Sequence, residues 1–130
     1  MSESAVADEV CLVDDDASVL RSMRFLLESE GLTTRPFSRP EDFLAHASRH
    51  RVSLVVLDIW MEGMTGLEVL ARLCALSPAT RVIVITARED LAARATAMAI
   101  GPFAYFMKPF NDEKFLVAVR KALVESKEPP

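Results

Sequence analysis

The sequence predicts an α/β protein: a doubly wound sheet of five parallel strands flanked by five helices. Three observations predict it. Apolar runs alternate with segments of helical periodicity along the chain. The inner runs are continuous Val, Ile and Leu, as expected of strands covered on both faces. Each of the inner runs also ends abruptly at polar residues, where parallel sheets place their ligand crevice.

The elements follow in order. Val10-Cys11-Leu12-Val13 is a short strand ending at three aspartates. From Ala17 to Glu30, Val19, Met23, Leu26 and Leu27 recur at helical spacing, with Asp16 placed to cap the helix and Gly31 to stop it. Leu32 to Phe37 is a more polar strand, expected near an edge. Ser38-Arg39-Pro40-Glu41 matches a capping box with proline inside the helix start, opening a helix to about Ala47. Leu54 to Leu57 is a buried strand ending at Asp58. Thr65-Gly66-Leu67-Glu68 is a second capping box, and its helix runs to about Leu76. Val82 to Ile85 ends at Thr86. An alanine-rich helix from Glu89 to Ile100 stops at Gly101, and Phe103 to Met107 forms the last strand before Lys108-Pro109. Asn111 caps a final helix from Asp112 to about Ser126. Right-handed crossovers then favour the small flavodoxin-like strand order 2-1-3-4-5. One domain is expected over 9–126, with 1–8 a polar tail and 127–130 a tail or the start of a linker.

Composition narrows the function classes. The chain has 130 residues, of which 51% are apolar and 26% charged, the profile of a globular domain with a core of its own. A net charge of −4 gives no basis for binding nucleic acid or an anionic membrane. No apolar run approaches the ~20 residues that span a bilayer, and Met1 to Asp8 is acidic, unlike a signal peptide. Cys11 and Cys74 both lie in apolar stretches and read as buried free thiols, consistent with a reducing, cytoplasmic location.

The polar strand ends define the candidate site. The first strand delivers Asp14, Asp15 and Asp16, the third Asp58, the fourth Thr86 and the fifth Lys108. Clustered carboxylates repel one another unless a hard cation neutralises them, and Mg2+ takes one or two carboxylates together with water and phosphate oxygens. Lysine is a compact cationic partner for phosphate, a threonine hydroxyl donates to it, and a carboxylate accepts a phosphoryl group covalently. The set reads as Mg2+-assisted phosphoryl transfer to an aspartate. Asp16 stands apart, as a helix cap.

Four pieces in this order, Leu12-Val13-Asp14-Asp15-Asp16, Val55-Val56-Leu57-Asp58-Ile59-Trp60-Met61, Val84-Ile85-Thr86-Ala87 and Tyr105-Phe106-Met107-Lys108-Pro109-Phe110, resemble a response regulator receiver domain of two-component signalling. The resemblance covers about Glu9 to Glu125. It implies that Asp58 accepts a phosphoryl group from a sensor histidine kinase or a histidine phosphotransfer protein. It implies Mg2+, with Mn2+ able to replace it, held by Asp15, Asp58, the Trp60 backbone carbonyl and, through water, Asp14. It assigns phosphoryl contacts to Lys108, Thr86 and the Ala87 backbone, makes Thr86 and Tyr105 a switch pair, and implies a cis bond before Pro109. The protein would be a signalling switch rather than a conventional enzyme. Its output would be a changed surface around the fourth helix, fifth strand and fifth helix, engaging a downstream protein or a second copy.

This chain also departs from the family pattern. Glu62 stands where proline is common, Trp60 is bulky for its place, and Arg88 lies two positions after Thr86. Our expectation is that Trp60 and Arg88 set phosphoryl lifetime by controlling water access. The alanines of the fourth helix suggest a flat docking face, and Leu20 an exposed apolar grip for a kinase.

Rival readings fare worse. A haloacid dehalogenase-type phosphohydrolase needs an acid–base carboxylate where Trp60 stands. A flavin phosphate site is opposed by three aspartates after the first strand. A receiver-like scaffold that works without phosphorylation predicts a broken acceptor set, yet all five key positions are filled. Pro129-Pro130 resembles a linker start, so the chain reads either as a stand-alone regulator or as the receiver part of a longer transcriptional regulator.

Overall fold

A computed structural model describes residues 9–127. Five strands, β1 (Glu9–Val13), β2 (Thr33–Phe37), β3 (Leu54–Asp58), β4 (Arg81–Thr86) and β5 (Ala104–Met107), alternate with five helices. The helices are α1 (Ala17–Ser29), α2 (Pro40–Arg49), α3 (Gly66–Leu76), α4 (Leu91–Ile100) and α5 (Asp112–Lys127). All pairings are parallel and the order is β2-β1-β3-β4-β5, as the sequence predicts. The expected tails at 1–8 and 128–130 lie outside the described residues. α5 runs to Lys127, one residue into the segment assigned to the tail.

Strand alternation divides the core into two layers. Val10, Leu12, Leu54, Val56, Ile83 and Ile85 pack against Leu20, Met23 and Leu27 of α1 and Phe115 and Val119 of α5. The intervening residues, Cys11, Val13, Val55, Leu57, Val82 and Val84, pack against Phe43 of α2, Leu70 and Leu73 of α3 and Ala97 of α4. The period of two along a strand sends neighbours to opposite faces, so a continuous apolar run serves both. β2 lies at an edge and is largely exposed, which explains its polar alternation.

Several local expectations are corrected. Ser38 does not cap α2; Arg39 is the N-cap residue, with no side-chain cap bond, and Pro40 supplies the preset φ of the first turn. α2 extends past Ala47 to Arg49. α4 begins at Leu91 rather than Glu89, because the Asp90 carboxylate accepts from Ala93 N–H at 3.0 Å and caps it. β5 begins at Ala104, not Phe103. Cys74 is exposed on α3, while Cys11 is buried as expected. Leu20 is buried against the sheet, and the exposed apolar residue of α1 is Phe25, 78% accessible. Ala93 and Ala97 face the core, so only part of the α4 alanine set is available outside. The caps at Asp16, Asn111 and the Thr65–Glu68 box are all present.

Candidate functional site: an acidic pocket at the carboxyl ends of the strands

The parallel register brings the predicted residues to one edge. β1 and β3 are neighbours paired through Val13 and Leu57, so Asp14 and Asp58 emerge side by side. Carboxylate oxygens of Asp14, Asp15 and Asp58 lie within 4.8 Å of one another. Asp14 and Asp58 are 1% and 6% exposed, whereas Asp15 faces solvent. Among the described residues, only one other group of three such ligands is this close, and it lies elsewhere.

Each carboxylate is held differently. Asp14 accepts from the Asp16 backbone N–H at 2.9 Å and from Lys108 Nζ at 3.5 Å. Asp15 Oδ2 accepts from the Glu62 backbone N–H at 2.9 Å, which ties the loop after β3 to the end of β1. A proline at 62 has no N–H to give. Asp58 has one long contact, from Trp60 N–H at 3.4 Å. Asp16 points away and caps α1 through Ser18 and Val19.

Electrostatics mark Asp58. Burial, then the Asp14 charge, push its pKa up to about 6, and Lys108 only partly offsets them. Asp14 is also raised, chiefly by burial. Buried anions at adjacent strand ends cost free energy unless a cation shares their oxygens. The donor set is oxygen only, with one exposed ligand, and this fits Mg2+. Asp14, Asp15 and Asp58 could hold it.

The other predicted residues lie around this centre. Thr86 ends β4 beside β3; its hydroxyl donates to the Arg88 carbonyl at 3.1 Å and accepts from Arg88 N–H at 3.2 Å. Ala87 follows it, exposed. Lys108 N–H donates to the Thr86 carbonyl at 2.7 Å, and the Lys108–Pro109 bond is cis. Tyr105 pairs with Val84 across β4–β5, half-buried, with the Arg94 guanidinium 5.1 Å from its ring centre.

Two features escaped the sequence reading. The Arg88 guanidinium stacks 4.2 Å over the Trp60 ring, clasping the loop after β4 to the loop after β3. Proximity across two loops leaves no local sequence signal. The second is Gly66, read only as part of a capping box. A Cβ there would collide with the Asp58 backbone carbonyl and Ile59 Cα, and Gly66 N–H donates to the Ile59 carbonyl at 2.7 Å. The helix start thus seats directly on the Asp58 backbone.

Comparison with known proteins agrees with this geometry. The response regulator receiver domain profile matches residues 10–120. The chain is 36% identical over 119 residues to the transcriptional regulatory protein FixJ of Azorhizobium caulinodans, covering 92% of this chain and 56% of that one. It is 35% identical over 114 residues to the uncharacterized transcriptional regulatory protein YkoG of Bacillus subtilis, covering 88% and 50%. It thus spans about half the length of these curated relatives. A CheY-like receiver domain from Methanospirillum hungatei superposes with a TM-score of 0.86 at 28% identity, over 92% of this chain and 96% of that one. Fold, site and likeness converge: the chain belongs to the response regulator receiver domain family of two-component signalling.

Proposed function

We propose that Asp58 is the phospho-acceptor of a Mg2+-dependent switch. The carrying observation is the buried Asp58 carboxylate, gathered with Asp14 and Asp15 and faced by Lys108. A phosphohistidine on a kinase or phosphotransfer protein would supply the group. The Asp58 oxygen attacks phosphorus, the O–P bond forms, and the N–P bond to histidine breaks. Bound Mg2+, held by Asp15, Asp58 and the Trp60 carbonyl with Asp14 reaching it through water, would neutralise the charge that the phosphoryl oxygens bring. Lys108 pairs with one phosphoryl oxygen, and the Ala87 N–H and Thr86 hydroxyl donate to others.

Switching follows from the hydroxyl of Thr86. It is engaged with the Arg88 backbone. A phosphoryl group on Asp58 offers stronger, charged acceptors. Turning the hydroxyl toward them releases the loop before α4, and Tyr105 moves with it. The exposed Leu91 and Met98 of α4 and Val117 and Val124 of α5 support an output face around α4, β5 and α5 for a downstream protein or a second copy. Phe25 supports kinase docking on α1. No helix among the described residues is long and apolar enough to cross a membrane, and we place the protein in the cytoplasm.

Incubation with Mg2+ and acetyl phosphate, followed by intact mass, tests the proposal. The expected result is one added phosphoryl group, absent with EDTA. No addition under either condition would favour a scaffold that works without phosphorylation.

A further inference from the structure

The chain has only two histidines, His46 and His50. They lie four residues apart at the end of α2, and their rings stack with centres 4.6 Å apart. His46 lies in the last turn of the helix, whereas His50 is its C-cap residue, in extended backbone, and packs against the His46 ring. Facing them from β1 are Glu9 and Cys11, two residues apart and therefore on the same face of the strand. The ligand atoms of Glu9, Cys11 and His46 all lie within 4.8 Å of one another. One histidine, one of the two cysteines and a carboxylate thus converge toward the opposite end of β1 from the acidic pocket.

We propose that Glu9, Cys11 and His46 form a second cation site, selective for a borderline divalent transition metal such as Zn2+, with water completing the shell. The donor set is mixed sulfur, nitrogen and oxygen, the set that tetrahedral Zn2+ takes and that Mg2+ avoids. A Zn–S bond of about 2.3 Å and Zn–N bonds of about 2.0–2.1 Å require the ligands to close in by roughly 1 Å. The half-buried Glu9 and His46 line the way in, while Cys11 sits at the back of the site.

Burial, reinforced by the Glu9 charge, pushes the Cys11 thiol up to about 12, so a metal has to displace its proton and affinity should rise with pH. Burial and the nearby Arg35 charge lower His46, which disfavours the imidazolium that would compete with a metal. Binding would release the Cys11 proton to solvent as the metal–sulfur bond forms. The built-in competitor is Arg35, whose Nε lies 3.1 Å from Glu9 Oε1. A metal would displace it, exchanging one cationic partner of Glu9 for another.

Co2+ is the probe, titrated into the protein under excess Mg2+ to occupy the acidic pocket. The expected result is a thiolate-to-cobalt charge-transfer band that saturates at one equivalent and is erased by Zn2+. Cys11→Ser should abolish the band, whereas Cys74→Ser and Asp58→Ala should retain it. His46→Ala should weaken affinity by about tenfold or more, while Arg35→Gln should strengthen it. No band in the wild-type chain, or a band that survives Cys11→Ser, overturns the proposal. Loss of the band on Cys74→Ser does so too, because the thiolate would then lie on α3.

Discussion

The ends of β3 and β4 are adjacent, yet they are held in opposite ways. β3 ends in a fixed seat. Asp58 is buried, Ile59 N–H bonds the Ile85 carbonyl, and the first residue of α3 packs onto the Asp58 backbone. β4 ends in a residue whose hydroxyl is satisfied only locally, by the backbone of Arg88 two residues on. That loop is fastened through one stacked pair, Arg88 on Trp60. In the proposed roles of Asp58 and Thr86, an acceptor must not move while bonds are made and broken. A reporter has to move, so its contacts have to be exchangeable at small cost. The contrast is between packing, which resists displacement, and single hydrogen bonds or a ring contact, each worth about 1 kcal/mol.

The largest effect should come from breaking the fixed seat. Gly66→Ala forces a Cβ into the Asp58 carbonyl, which is backbone and cannot swing aside. We expect a loss of about 3 kcal/mol in urea unfolding, at the upper end of overpacking costs. The control Gly63→Ala meets no atom, although its positive φ adds a smaller strain.

A second, smaller effect has the opposite sign. Asp58 has a folded pKa raised from 3.8 to about 6. Between these values the folded state holds the proton more tightly than the unfolded chain, so stability falls as pH rises through the window. Without Mg2+ at pH 7.5, Asp58→Asn should therefore stabilise the fold by on the order of 1–3 kcal/mol. The gain should shrink toward zero as the pH is lowered below about 4, and saturating Mg2+ should reduce it at neutral pH. Thermal melts across pH measure both.

The smallest effect belongs to the β4 loop. Arg88→Ala removes the stacked guanidinium and should cost only about 0.5–1 kcal/mol of stability. Trp60 is the only tryptophan in the chain, so its fluorescence reports the change directly. We expect altered Trp60 emission together with a changed rate of phosphoryl loss from Asp58. Unchanged kinetics in Arg88→Ala and Trp60→Ala would leave the pair without a role in phosphoryl lifetime.

How much of this was legible in the sequence follows the same division. The strands were readable because burial on both faces demands unbroken Val, Ile and Leu, and the pocket because parallel strands end on one edge. Asp14, Asp58, Thr86 and Lys108 are therefore gathered by the sequence pattern alone. What escaped depends on distance across loops or on which way a helix turns. Leu20 and Phe25 are both apolar on α1, and helix rotation alone decides which is buried. Cys74 lies in an apolar stretch but on the outer side of α3. Ser38 has the right chemistry for a cap, yet Pro40 sets the helix start one residue late for it. The Glu62–Asp15 bond uses a backbone N–H, which every residue but proline carries, so only the fold could reveal it.

The most direct test of the central claim is to identify the phosphorylated residue. After incubation with Mg2+ and acetyl phosphate, borohydride reduction converts an acyl phosphate to homoserine, and peptide mass mapping locates it. Homoserine is expected at position 58 and absent from Asp58→Ala. Homoserine at Asp14 or Asp15, or at no position, would contradict it.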